Sequence, residues 1–104
     1  MADDGLKIQI SHNGRVGTVA AAGELDLSTV DELRAAVLTA AADCDRLVLD
    51  LGAVGFIDSA GLGALLELRS TLHRKVVSFE IVAGDGPVRQ AVQITGLSQL
   101  LATL

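Results

Sequence analysis

This chain of 104 residues predicts one α/β domain with the element order β-β-α-β-α-β-α. Three observations lead there. Leu6-Lys7-Ile8-Gln9-Ile10-Ser11 alternates apolar and polar residues, the two-residue period of a half-buried strand. Asn13-Gly14 follows, a dipeptide that tolerates the positive φ of a tight hairpin turn. Beyond it, short aliphatic runs alternate with segments whose apolar residues recur at helical spacing. Strands joined through helices need crossover connections, which make them parallel, and such crossovers are right-handed. The expectation is a small mixed β-sheet with an N-terminal hairpin and helices packed on it.

The elements follow in order. Val16 to Ala22 reads as the returning strand of the hairpin, carried by Thr18 and Val19 and weakened by its alanines. Gly23-Glu24-Leu25-Asp26-Leu27 reads as a loop. Ser28 can cap a helix, and Asp31 three residues on completes a capping-box pattern. Asp31 and Glu32 put negative charge at the positive end of that helix. Val30, Leu33, Val37 and Ala40 or Ala41 share one face, so residues 28–42 are expected to form an amphipathic helix. Leu47-Val48-Leu49 is a continuous apolar run, as in a strand covered on both faces. Gly52 to Asp58 reads as a loop, and residues 59–73 as a second helix with Leu62, Leu65, Leu66, Leu68 and Leu72. Val76 to Val82 is the next strand. Pro87 and Gly96 bracket a third helix over 87–95. Residues 97–104 fit a final helical turn or an edge strand.

Length bounds the chain at one domain, residues 1–104, with residues 1–4 expected to be disordered. Half of the residues are hydrophobic, enough for a core at this size, and they are aliphatic; Phe56 and Phe79 read as core. No apolar run approaches the roughly 20 residues that span a bilayer. Met1-Ala2-Asp3-Asp4 is acidic and does not resemble a signal peptide, so a cytoplasmic location is expected. A net charge of −5, without Trp or Tyr, argues against nucleic acid and anionic membranes as partners. The lone Cys44 cannot form an internal disulfide and reads as an incidental thiol in a polar connection. Metal binding and other cofactors are not expected, because His and Cys are not clustered.

The segment richest in chemical information is Phe56-Ile57-Asp58-Ser59-Ala60-Gly61-Leu62-Gly63, which opens the second helix. First-turn amides of a helix have no internal partners and can hold an anion, so a serine there is well placed to carry a phosphate. Gly61 and Gly63 cost about 1 kcal/mol each in helix propensity relative to Ala, which suggests a close approach to the backbone. The competing reading is that Asp58 or Ser59 is a plain N-cap. A serine hydrolase does not fit: Gly-x-Ser-x-Gly is absent, and the only candidate bases are His12, beside the turn, and His73, at a helix end, both expected to be solvated. No Gly-Lys-Ser/Thr follows the glycines, so no phosphate-binding P-loop forms. Arg69, Arg74 and Lys75 read as a solvated helix end. No enzymatic activity is expected.

Asp58-Ser59-Ala60-Gly61-Leu62-Gly63 resembles the signature of STAS domains in bacterial anti-sigma factor antagonists. Gly23-Glu24-Leu25-Asp26, followed by Ser28, resembles an acidic loop of that family, and Leu47-Val48-Leu49-Asp50-Leu51 resembles its buried strand. The resemblance covers nearly the whole chain in order and spacing. It implies phosphorylation of Ser59 by an anti-sigma factor with serine kinase activity, to which the unphosphorylated chain would bind, freeing a sigma factor. A phosphatase acting on phospho-Ser59 would reset the switch. The positions implied in partner binding are Asp26, Ser28, Asp58, Ser59, Ala60, Gly61, Leu62 and Gly63. Some relatives carry Ser or Thr where this chain has Ala60, which leaves Ser59 the only hydroxyl of the motif. The resemblance is also compatible with a STAS accessory subunit of a lipid transporter or of a stress-sensing complex. A nucleotide-binding regulatory module is a further alternative, which direct ATP or GTP binding would favour.

Overall fold

The computed structural model describes residues 5–101; the expectation of disorder at residues 1–4, and that for residues 102–104, lie outside the described residues. Four strands form one sheet in the order β1-β2-β3-β4: β1 Lys7–Asn13, β2 Val16–Leu25, β3 Arg46–Ile57 and β4 Ser78–Val82. The β1–β2 pair is antiparallel, whereas β2–β3 and β3–β4 are parallel. Helix α1 (Val30–Ala41) links β2 to β3, α2 (Ser59–Arg74) links β3 to β4, and α3 (Pro87–Ile94) follows β4. This is the predicted element order. A 3₁₀ turn, Ser98–Leu100, and a parallel bridge from Leu101 to Ile81 close the described chain, so both readings of the C-terminal segment hold in part.

The hairpin turn is Gly14-Arg15, with Gly14 at φ 63° as the first central residue. Only glycine takes that angle cheaply. Two stretches expected as loops are strand. β2 continues through Gly23-Glu24-Leu25, and β3 through Gly52 to Ile57. Their glycines and alanines have low strand propensity, but the two extensions pair with each other, from Ala22–Ala53 to Leu25–Ile57, across register shifts at Ala20/Ala22 and Gly23/Glu24. Pairing overrides local preference, and the irregularities bend the strands where they leave the sheet.

Leu47, Leu49 and Leu51 are at most 1% exposed, while Val48 and Asp50 between them are half-buried. The run is therefore covered on one face, a correction to the expected double cover. Core residues of all three helices, including Leu33, Val37, Leu65, Leu68, Leu72, Val88 and Val92, share one cluster with these leucines. Each fully buried Leu stabilises the fold by about 1.5–3 kcal/mol. The opposite face, with Thr18, Val48 and Glu80 side by side, carries no helix among the described residues. Cys44 is buried, its thiol donating to the Ala40 carbonyl at 3.0 Å. Within the described residues, no helix is long and apolar enough to cross a membrane.

At the far end of α2, β4 begins at Ser78 rather than Val76 because the helix closes with a left-handed residue. The Val77 amide donates to Leu72 O (2.9 Å) and the Val76 amide to His73 O (3.0 Å). This is the Schellman pattern, in which glycine normally occupies the left-handed site. Here Val76 holds φ 59° with its side chain 86% exposed. A β-branched residue pays about 1–2 kcal/mol for that conformation and gains little burial. Val76→Gly is therefore expected to raise stability by about 0.5–1 kcal/mol, measured as a higher urea midpoint at unchanged slope. A lower midpoint would show that Val76 makes contacts outweighing its backbone strain.

Candidate functional site

Leu25 and Ile57 are the last paired residues of β2 and β3. The next residues, Asp26 and Asp58, thus leave the same end of the sheet on neighbouring strands. One hydrogen bond joins the two exits: the Asp58 amide donates to the Leu25 carbonyl at 3.2 Å. Asp58 then caps α2. Its Oδ1 accepts from the Gly61 amide at 3.0 Å, and its carbonyl accepts from the Leu62 amide at 2.9 Å. Asp58 is the N-cap, and Ser59 is the first helical residue.

The glycine pair divides in function. A Cβ on Gly61 would lie 2.8 Å from Leu25 O and 2.8 Å from Ile57 Cγ1. What approaches Gly61 is therefore the end of β2, and this glycine lets α2 start against the sheet. Gly63 is exposed, with nothing within 4 Å of an added Cβ. Leu62 is partly buried against the core, and Ala60 is half-buried. The Ser59 side is open: Ser59 is exposed, and neither its amide nor that of Ala60 has a protein acceptor among the described residues.

The Asp26 loop is built differently from expectation. Helix α1 starts at Val30, not Ser28, and the Ser28–Asp31 capping box does not form. Asp26 wins the competition for Ser28: its Oδ1 accepts from the Ser28 hydroxyl at 2.7 Å and from the Ser28 amide at 3.0 Å. Asp31 instead pairs with Arg34. Thr29, only 3% exposed, occupies the N-cap position without capping α1. Its Oγ1 donates to Glu24 O (2.9 Å) and accepts from the Asp26 amide (3.0 Å), which ties the loop back onto β2. The Ser28 hydroxyl is the main cause holding the Asp26 carboxyl below its usual value, against a smaller opposing effect of desolvation.

Ser59, Gly63 and Leu66 recur at helical spacing, and all three are exposed. Leu66 is 36% exposed, Leu27 beside Asp26 is 77% exposed, and Phe56 before the helix is 49% exposed. Phe56 was expected in the core. It lies outside because the register shift at Gly23/Glu24 skips Gly55 and reverses the alternation after Val54, so that Phe56 pairs with exposed Glu24 and Ile57 with buried Leu25. Leu27, Phe56 and Leu66 extend the predicted set as apolar surface at or near the serine. Leu27, an isolated leucine between Asp26 and Ser28, was the one sequence signal for this surface. Thr29 had none, because its role depends on the path of β2. His73 stands at the opposite end of α2 from Ser59. His12 lies at the hairpin end of the sheet, its Nε2 3.2 Å from Ala40 O. Neither can act as a base for Ser59.

The STAS domain sequence model matches residues 7–104. The chain belongs to the STAS domain family. The anti-sigma F factor antagonist of Paenibacillus polymyxa is 30% identical over 98 residues, covering 92% of this chain and 84% of that protein. The anti-sigma-F factor antagonist RsfB of Mycobacterium tuberculosis is 30% identical over 99 residues, covering 94% and 80%. The crystal structure of an anti-sigma factor antagonist from Mycobacterium paratuberculosis has a TM-score of 0.87 at 31% identity, covering 99% of this chain and 90% of that one. The one-sided sheet and the serine-bearing helix are thus a STAS fold.

Gly61→Ala should destabilise the STAS domain by about 1–3 kcal/mol, because a backbone carbonyl cannot move aside. Gly63→Ala should stabilise it by about 1 kcal/mol through helix propensity alone. Equal effects at the two positions, read from denaturant melts, would contradict the assigned contacts. The lowered Asp26 carboxyl adds stability that is complete above its usual value of 3.8 and is lost as pH falls through the folded-state value. Asp26→Asn should therefore make the acid-side loss of stability shallower below pH 3.8 while leaving part of it, since Asp45 is lowered in the same way by Arg15. An unchanged acid limb in urea melts would remove the Asp26–Ser28 linkage.

Proposed function

We propose that this STAS domain is an anti-sigma factor antagonist controlled by phosphorylation of Ser59. In the unphosphorylated state it binds an anti-sigma factor with serine kinase activity and so releases a sigma factor. Phosphorylation by that kinase ends the complex, and a phosphatase acting on phospho-Ser59 restores it. The observation that carries this reading is the exposed Ser59 hydroxyl at the first position of α2, beside two unpaired helix amides, on the sheet end that also holds the Asp26 loop. The names of the relatives support the anti-sigma factor as partner.

The partner face comprises Asp26, Ser28, Asp58, Ser59, Ala60, Gly61, Leu62 and Gly63, flanked by exposed Leu27 and Leu66. Within it, Asp58 and Gly61 act by shaping the start of α2, and Ser28 by orienting Asp26. Gly63 leaves room above the helix for a partner backbone. The chain acts by binding, in the cytoplasm where sigma factors work, and needs no cofactor of its own.

A phosphate on Ser59 adds about −1.5 to −2 charges. The unpaired amides of Ser59 and Ala60 and the helix dipole compensate that charge within the domain. A partner surface fitted to a neutral hydroxyl between Asp26 and Asp58 does not compensate it. The fold therefore survives modification while the complex weakens.

With the cognate kinase and ATP, mass spectrometry should find phosphate on Ser59 alone. Ser59→Ala is expected to change stability by less than about 0.5 kcal/mol, because Asp58 and not Ser59 caps the helix. It should retain partner binding, whereas Ser59→Asp and the phosphorylated protein should bind at least tenfold more weakly, a loss of about 1.4 kcal/mol. Phosphate at another residue, or equal affinity before and after modification, would overturn the proposal.

A further inference from the structure

The two edges of the sheet differ. Beside β4, the bridge between Ile81 and Leu101 occupies the outer edge. Nothing among the described residues pairs with the outer edge of β1, whose residues are all exposed except the half-buried Ile8. An uncovered edge strand offers a row of unmet backbone donors and acceptors.

The hairpin determines which groups those are. Asn13 and Val16 close the two-residue turn, so they exchange the turn hydrogen bond. Hydrogen-bonded and non-hydrogen-bonded pairs alternate from there. Asn13, Ser11, Gln9 and Lys7 therefore point their N–H and C=O groups at β2, while His12, Ile10 and Ile8 point theirs outward. The outward residues also carry their side chains on the helix-covered side, where Ile10 shares a register position with buried Val19 yet remains 44% exposed.

We propose that β1 pairs antiparallel with β1 of a second copy of this chain, giving a two-fold dimer with one continuous eight-stranded sheet. The strand is self-complementary about Ile10. In that register Ile10 faces Ile10 of the second copy, and Ile8 faces His12 on either side. All the outward groups are then satisfied, each pair exchanging both backbone hydrogen bonds. Gln9 meets Ser11, and Lys7 meets Asn13, so no like charges stand opposite each other. The exposed Ile10 side chains cover one another.

Charge favours a second copy at this edge. The chain carries −5 overall, but residues 5–23 contain no Asp or Glu. The acidic groups near this edge, Glu32 beside Gly5 and Asp45 paired with Arg15 at 2.8 Å, lie at the two ends of β1 and not along it. The two-fold axis inverts one sheet relative to the other. The two Ser59 ends therefore point in opposite directions and stay accessible. This pairing does not rest on the proposed phosphorylation switch.

The test is the mass of the full chain in solution by sedimentation equilibrium, with proline placed by phase. The wild-type chain should dimerise, at twice 10.7 kDa. Ile10→Pro removes only an outward N–H, which edge strands tolerate, so it should give a folded monomer. Gln9→Pro breaks the β1–β2 ladder and should lower the melting temperature. A second measurement is independent of proline. With Cys44→Ala as background, Ile10→Cys should crosslink to itself on mild oxidation, since Cα atoms in a hydrogen-bonded pair lie about 5.5 Å apart, within disulfide reach. Val76→Cys, just before β4 at the opposite edge of the sheet, should not. A wild-type monomer at all concentrations, a dimer that survives in folded Ile10→Pro, or failure of Ile10→Cys to crosslink would each overturn the proposal.

Discussion

The hydrogen bond from the Asp58 amide to the Leu25 carbonyl sits where β2 and β3 end, and the geometry of the serine-bearing end depends on it. It closes the parallel ladder and fixes the point at which α2 departs. Gly61 is a consequence. With α2 starting this close to Leu25, no side chain fits at the third helical position. The same closure brings the Asp26 loop next to Ser59. Sheet ends at the carboxyl side of parallel strands are the usual place for functional loops, because neighbouring connections converge there. Here the convergence is tied by a backbone bond rather than left to loop packing.

That arrangement separates rigidity from chemistry within a few residues. Thr29 and the Asp26–Ser28 turn use up the polar groups of one loop internally, and Asp58 uses its carboxylate on Gly61. Ser59 keeps an exposed hydroxyl, and the amides of Ser59 and Ala60 keep their donors. A group attached to Ser59 would meet preformed donors, and the scaffold around it would not have to rearrange. The strain at Val76 lies at the other end of α2, away from this site.

The element order and the motif segment were legible in the sequence because they rest on periodicity and on a helix start. Alternation in β1, the Val30–Leu33–Val37 stripe, and Pro87 with Gly96 each mark structure locally. The extensions of β2 and β3 were not legible: Gly23 to Leu25 and Gly52 to Ile57 are glycine-containing stretches whose strand character exists only in their mutual pairing. Local hydrophobicity puts Phe56 in the core and local patterning makes Ser28 a helix cap, whereas the path of β2 and β3 turns Phe56 outward and lets Asp26 claim the Ser28 hydroxyl. Gly61 and Gly63 look alike in sequence, and only the position of Leu25 tells them apart. The single-sided cover of β3 was hidden by Val48, whose hydrophobicity does not reveal that it faces the open side.

Amide hydrogen exchange measured by NMR tests the central claim most directly, namely that a backbone bond locks the start of α2 to the end of β2. The Asp58 amide should be protected nearly to the level of the β2–β3 core, with an opening free energy close to that of global unfolding. The amides of Ser59 and Ala60, one and two residues later, should exchange rapidly. Asp58 exchanging as fast as Ser59 would contradict the account: the two strand exits would then be independent loops, and the shared site would lose its physical basis.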